Sequence, residues 1–435
     1  MNPTTIGLIG IVVLVLLFFS RLPVAYCMAL VGTVGFSIVV TPEAGLRILA
    51  TDIFETFSSY GLTVIPLFIL MGQLAFNAGI SRKLYDTAFK MIGHMRGGLA
   101  LATIMACTAF GAVCGSSAAV AATMATVGLP EMKRYGYGDA IAAGSVASGG
   151  TLGMLMPPSV VMIVYGILTE QSIGALFIAG IIPAVFIALL FMIAIYIYCL
   201  FRPAEGPRGA RVGWKEKILS LGEMGETLFV FLLVMGGLFL GWFTPTEAGG
   251  IGAFGIFVLS LFRRSLTWQG FVKSLYETMR TSCMTMMLVA GAVIFGHFLA
   301  ITRIPFEIAG WVAGLSLPPL AVIGVIVLVY LIGGCFIDAL ALIMLTIPMF
   351  YPIILHLGYD PIWFGVIIVL VTQMGVITPP VGLNVYVVGG IAQDVSLEKI
   401  FLGALPFLAA LVVGTGVIMA LPELATWLPK LMYGM

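Results

Sequence analysis

Three places in this chain gather atoms that could hold an ion or a small polar molecule. Gly115-Ser116-Ser117 sets two hydroxyls beside a glycine in the middle of an apolar stretch. Asp338, just after Gly333-Gly334, is an acid far from either end of another apolar stretch. Pro157-Pro158 and Pro379-Pro380 interrupt two more. Proline removes a backbone donor and clashes with the preceding turn, so a helix has to break at each pair. Broken backbone is tolerated in a bilayer only where it is buried in protein or lines a wet cavity. Freed carbonyls and Ser or Thr hydroxyls suit a hard cation such as sodium, and N–H groups at a helix start suit a carboxylate. Small residues also let helices pack closely, the plainer use of the same positions. A charge at the depth of Asp338 costs about 2.5–3.5 kcal/mol on insertion scales. A bound cation or a proton would offset it; a hydrogen-bonded structural acid is the other reading. Ser145, Ser148, Gly149, Gly150 and Thr151 precede the first break, Thr372, Gln373 and Thr378 flank the second, and Asn384 follows it.

The elements that must position these groups are membrane helices. Of 435 residues 61% are hydrophobic and only 9% charged, with mean hydropathy +1.16, whereas a soluble domain carries about 25% charged residues. The chain is therefore read as polytopic in a lipid bilayer, and a net charge of +1 gives no case for nucleic acid. Runs approaching or exceeding the roughly 20 residues a span needs fall at 4–20, 22–40, 61–80, 139–168 (broken), 174–201, 227–243, 246–262, 283–301, 362–392 (broken) and 400–420. The first lacks a basic leader and a small-residue cleavage site, so it is kept as a span. Residues 98–130 and 318–353 are too long for one span and too short for two with a loop; a re-entrant hairpin fits each, the other reading being one long tilted helix with a tail.

Two interrupted helices in matching positions point to a transporter's binding site. A single shift of 222 residues pairs Gly111 with Gly333, Pro130 with Pro352, Gly136-Tyr137 with Gly358-Tyr359, Gly153 with Gly375 and Pro157-Pro158 with Pro379-Pro380. The matched residues set backbone shape. An odd number of spans separates the copies, so they should be inverted in the membrane. The chain divides into N-terminal scaffold spans (1–80), repeat 1 (81–201), a polar linker (202–226) expected to be a cytoplasmic loop with an interfacial helix, second scaffold spans (227–301), repeat 2 (302–420) and a C-terminal tail (421–435). Within the repeats, 81–94 and 305–317 read as amphipathic surface helices leading into the hairpins. Most basic residues fall on one side of this arrangement, which the positive-inside rule makes the cytoplasm, leaving both termini periplasmic.

Other candidates read blandly. The six cysteines lie in or at the ends of apolar runs and are expected to be small buried hydrophobes. His297 could be a proton site, or a hydrogen-bonded structural residue. Thr246 with Glu247 looks like a helix start. An intramembrane hydrolase would need a second membrane acid, an HExxH motif or a Ser–His pair, which the apolar runs do not offer.

Gly111 to Ser117, Gly153-Met-Leu-Met-Pro-Pro-Ser159, Gly334-Cys-Phe-Ile-Asp338 and Thr378-Pro-Pro-Val-Gly-Leu-Asn384 together resemble the large membrane subunit of the tripartite ATP-independent periplasmic (TRAP) transporters, over essentially the whole chain. The resemblance implies an all-α, inverted-repeat, elevator-type importer of organic acids in the bacterial inner membrane, driven by sodium. It also implies two partners: a small four-helix membrane subunit on a separate chain and a soluble periplasmic substrate-binding protein. Carried over by position, it implies one sodium site at Gly115, Ser116, Ser117, Gly149, Gly153 and Pro157, and a second at Asp338, Thr372, Gly375 and Thr378. Substrate would lie near Ser148, Thr151 and Asn384. No Arg lies in these motifs, so a carboxylate's counter-charge must come from helix ends, the ions or an Arg that the fold brings in. The alternative is a single-component sodium–dicarboxylate symporter of related architecture, which needs no binding protein. A channel fits two proline-broken repeats less well than alternating access does.

Overall fold

The computed structural model describes all residues except 1, 19, 21, 210, 308–309, 311–317 and 434–435, and gives no side-chain surroundings for 223, 224, 226 and 227. Every regular element among the described residues is a helix. Among the described residues six helices are long and apolar enough to cross a membrane, and six shorter helices are apolar as well.

The first group is α1 (Pro3–Phe18), α2 (Val24–Val39), α3 (Pro42–Ser58) and α4 (Val64–Asn77). Then come α5 (Ile80–Ile92), the pair α6 (Gly98–Cys114) and α7 (Ser117–Arg134), the interrupted pair α8 (Asp139–Thr151) and α9 (Val160–Leu168), and α10 (Ile173–Phe201). A second scaffold group follows: α11 (Trp214–Phe239), α12 (Pro245–Phe262) and α13 (Trp268–Thr302). The second pair is α14 (Pro319–Gly334) and α15 (Ala339–His356), and its interrupted helix is α16 (Pro361–Gly375) and α17 (Leu383–Ile391). The chain closes with α18 (Leu397–Ala420) and α19 (Glu423–Tyr433). The surface helix expected over 305–317 lies largely outside the described residues.

The two half-helices ahead of the breaks form the centre of the molecule. In α8 every residue from 141 to 151 is buried, and in α16 every residue from 362 to 375. Apolar burial all round marks a helix wrapped by protein on every side. Glycine allows the contact to be this close: a Cβ on Gly144 of α8 would sit 2.7 Å from the Cα of Gly403 on α18. The polar ends of the two copies are also tied across the repeat boundary. Lys133 in the last turn of α7 pairs with Asp394, and Lys399 Nζ lies 2.9 Å from Asp139 Oδ2.

The structure corrects several boundaries. Among its described residues the linker holds no separate interfacial helix: α11 runs unbroken from Trp214 into its apolar part. Its polar end is held against α5, where Lys217 Nζ donates to the Met91 carbonyl at 3.1 Å and Thr87 Oγ1 to the Ser220 carbonyl at 3.2 Å. The run 283–301 is only the second half of α13, which starts fifteen residues earlier, at Trp268, behind a Thr267 cap. Side chains such as Lys273, Glu277 and Arg280 hide this extension from an apolar count. Residues 42–58 form a helix that the sequence reading passes over. The cap before Glu247 is Thr244, not Thr246: Thr244 N–H donates to Glu247 Oε2 at 2.8 Å while Glu247 N–H donates to Thr244 Oγ1 at 3.3 Å, a capping box. The tail is helical in α19, packed on α10 and α16.

Candidate ion and substrate site

The tip of the first helix pair is two residues long. Gly115 ends α6 in the left-handed conformation, φ 64°, which a residue without a Cβ adopts at no steric cost. Ser116 is extended and starts α7. The break in α8–α9 docks on this tip. Val160 N–H donates to the Gly115 carbonyl at 3.4 Å, and a Cβ on Gly111 would lie 2.9 Å from Gly153 Cα. Analogous contacts recur in the second copy, one or two residues off the 222-residue register except at Gly375. Val381 N–H donates to the Cys335 carbonyl at 3.2 Å, and a Cβ on Gly334 would lie 3.2 Å from Gly375 Cα. The Pro157–Pro158 and Pro379–Pro380 bonds are both cis. The two copies thus build a similar joint twice, a hairpin tip seated in a helix break, although Gly334 and not Gly333 makes the close contact in the second.

Asp338 is the cap of α15. Its Oδ2 accepts from Leu340 N–H at 3.0 Å, so the positive end of a helix offsets part of its charge. Asn384, fully buried at the start of α17, reaches across the repeat boundary. Its Nδ2 donates to Ser117 Oγ at 2.7 Å and to the Ala147 carbonyl at 2.9 Å, and Ser117 Oγ lies 3.0 Å from Asn384 Oδ1. One amide therefore ties the second break to both the tip and the broken helix of the first copy.

These groups line one cavity of about 90 Å³, walled by Gly115, Ser116, Ser117, Asp338, Val376 and Asn384. The remaining candidates, Ser148, Gly149, Thr151, Gly153, Pro157, Thr372, Gly375 and Thr378, are not among its lining. The Thr151 hydroxyl turns back to the Ser148 carbonyl, Thr372 to Val369 and Thr378 to Met374. Gly149 faces Cys107 of α6, with a Cβ there 2.9 Å from its sulfur. A Cβ on Gly153 would lie 3.0 Å from the Ser116 carbonyl oxygen, so that oxygen stands over the first break. Pro157 and Gly375 belong to the two joints. Ser148 Oγ and both amide atoms of Gln373 are buried without a hydrogen-bond partner.

The sequence reading missed the wall supplied by α13. Thr281 and Thr285 line the cavity opposite Asp338, and Thr285 Oγ1 donates to the Thr281 carbonyl at 3.0 Å. Together with Ser274, Thr278 and Ser282 they put hydroxyls on one helix at spacings of three and four, a signal present in the sequence but far from any repeat motif. Thr281 and Thr285 also face a crevice of about 570 Å³ between α2, α13 and the tip of the second pair. Cys283 opens into that crevice; it is exposed where the other five cysteines are buried, against the expectation for all six. His297 Nδ1 lies 2.8 Å from Oδ2 of Asp52, a buried acid on α3, which gives that histidine its hydrogen-bonded role.

The family profile described as "Tripartite ATP-independent periplasmic transporter, DctM component" matches residues 11–424. The chain belongs to the DctM family. Among its DctM relatives, the C4-dicarboxylate TRAP transporter large permease protein DctM of Pseudomonas aeruginosa is 39% identical over 386 residues, 88% of this chain and 90% of that one. The sialic acid TRAP transporter large permease protein SiaM of Vibrio cholerae is 32% identical, covering 96% and 97%. In fold, the DctM chain is similar to the YdaH transporter of Alcanivorax borkumensis, with TM-score 0.57 at 15% identity over 88% of this chain and 89% of that one. It is thus a multi-pass permease subunit of the inner membrane and not an enzyme.

Proposed function

We propose that this DctM chain carries out sodium-coupled import of an organic acid, with substrate and ions held between the two hairpin tips. The observation that carries the proposal is the cavity where Gly115, Ser116 and Ser117 of one copy meet Asp338 and Asn384 of the other. Oxygen donors converge there: the Ser116 carbonyl over the first break, the two Ser hydroxyls and the Asp338 carboxylate. They fit a hard cation, because carbonyls at interrupted helices are where transporters of this kind place coupling ions. Sodium, when bound, would supply positive charge beside Asp338. The chain's own residues then do the rest. Asn384 fixes the distance between the copies, and the two tip-and-break joints keep each hairpin with its broken helix as α5–α10 and α14–α18 move past α2, α4, α12 and α13. A substrate that binds the ion-loaded arrangement better than the empty one couples the two fluxes.

The names of the relatives support an acid as cargo, delivered by a periplasmic binding protein to this chain and a separate small membrane subunit. In this arrangement both termini face the periplasm. The test is uptake into proteoliposomes holding the full membrane complex, with binding protein outside. Uptake should follow the inward sodium gradient and fall at least about tenfold in Asp338→Asn, a loss of roughly 1.4 kcal/mol in coupling. Uptake indifferent to the gradient, or full coupled uptake by that variant, refutes the reading. Uptake without any binding protein would favour the single-component symporter instead.

A further inference from the structure

The cavity at Asp338 has no cation of its own to meet a carboxylate, and about 90 Å³ is small against the 300–1,000 Å³ of ordinary ligand sites. It shares Thr281, Thr285, Asp338 and Leu340 with the 570 Å³ crevice, so a ligand of ordinary size at this site extends toward α13. On that helix Arg280 precedes Thr281. It stands one turn before Cys283 and Met284, both of which line the crevice, so i,i+3 and i,i+4 geometry puts it on the same helix face, at the edge of a crevice whose α13 lining begins at Thr281. Arg280 is exposed and takes part in none of the ion pairs or side-chain hydrogen bonds of the described residues. Glu277, one turn away on the same helix, does not pair with it, and neither does Asp338.

We infer that Arg280, with the hydroxyls of Thr281 and Thr285, is the carboxylate-recognising edge of this site, contributed by a scaffold helix and not by the repeats. The inference rests on the organic-acid reading above and adds the missing counter-charge. A guanidinium presents a planar fork of donors matched to a carboxylate, and the two threonines continue the donor row toward Asp338. Because α13 lies outside the repeats, a bound acid touches Arg280 only while the hairpin tips face this helix. Movement of the repeats would strip the contact away and favour release.

Cys283 offers a direct test in the intact membrane complex. Its thiol is modified with two thiosulfonate reagents of equal size, one bearing a sulfonate and one a trimethylammonium, each rate divided by that of a free thiol. Arg280 should make the anionic reagent the faster, with a ratio about tenfold above that in Arg280→Gln at low salt, as expected for unit charges one helical turn apart. Arg280→Lys should keep most of the ratio, which shows that charge and not a disturbed fold sets it. Millimolar succinate, against sodium chloride at equal ionic strength, should slow the anionic reagent in the native chain and not in Arg280→Gln. A ratio unchanged by Arg280→Gln, or no protection by succinate, overturns the inference. Neither readout uses the sodium gradient, so failure of sodium coupling would leave this result standing.

Discussion

Asn384 is the place where the two copies are most sharply committed to one another, and a double-mutant cycle with Ser117 measures that commitment. Asn384→Leu removes both amide hydrogen bonds: it strands the buried Ser117 hydroxyl and takes a second donor from the Ala147 carbonyl, which keeps its place in the α8 ladder. A buried polar group left unpaired costs about 1–3 kcal/mol and an ordinary hydrogen bond is worth about 1 kcal/mol, so this variant should lose about 2–4 kcal/mol. Ser117→Ala leaves Asn384 its bond to the Ala147 carbonyl and should lose only about 1 kcal/mol. Hydrogen bonds between membrane helices average about 0.6 kcal/mol with a maximum near 1.7, and the coupling should fall in that range. The assay is unfolding of the protein in mixed micelles by increasing SDS, for the native chain, both single variants and the double. Once Asn384 is gone, Ser117→Ala should cost close to nothing. If the two losses add within about 0.3–0.5 kcal/mol, the pair is uncoupled. The cross-repeat bond would then hold nothing together, and the argument that Asn384 fixes the cavity fails.

Three further outcomes follow from the packing and the charges. Gly111→Ala drives a Cβ to 2.9 Å from Gly153 Cα and should cost about 1–3 kcal/mol, while Gly416→Ala on α18, with no atom within 4 Å, should be neutral or stabilising by up to about 1 kcal/mol; thermal unfolding of the two compares them directly. Maleimide should label one thiol per folded chain, and Cys283→Ser should abolish the labelling, as read by intact mass. The hydrogen bond from Lys133 holds the Asp394 carboxyl below its ordinary pKa, so this pair stabilises the fold above about pH 4 and its contribution disappears as pH falls through the depressed value. Lys133→Met should therefore lower the melting temperature slightly at pH 7 and not at all at pH 2.5–3 or in molar salt, because both partners are open to solvent.

What the sequence made legible is what proline and glycine dictate. Both breaks, both tips and the shift that relates them could be placed because those residues act on their own backbone within a few positions. Ser117 and Asn384 were singled out for their types and their neighbourhood. That they bond to each other, 267 residues apart, is a property of the packed chain. The contribution of α13 was hidden for the same reason. Thr281 and Thr285 lie near the charged start of a helix, outside every repeat motif, and only tertiary packing turns them toward Asp338. The lengths of α11 and α13 were misjudged because hydropathy finds the lipid-facing part of a helix and is blind to a polar extension held by Lys217 or started by Thr267.

The joins at the polar ends of the two copies bear on what the linker is for. Residues 202–209 are tied back to the first copy, with the Gly206 carbonyl accepting from Gly97 N–H at 3.0 Å, the Glu205 carbonyl from Gly138 N–H at 3.0 Å, and Gly209 N–H reaching the Gly93 carbonyl at 2.8 Å. From 214 onward the chain belongs to α11. The copies themselves are gripped by Asn384, by the Gly144–Gly403 contact and by two ion pairs, none of which needs residues 210–213. Covalent continuity there is a convenience of synthesis: two half-genes, one ending and the other beginning in that short segment, should yield polypeptides that find each other in the bilayer and rebuild the same permease.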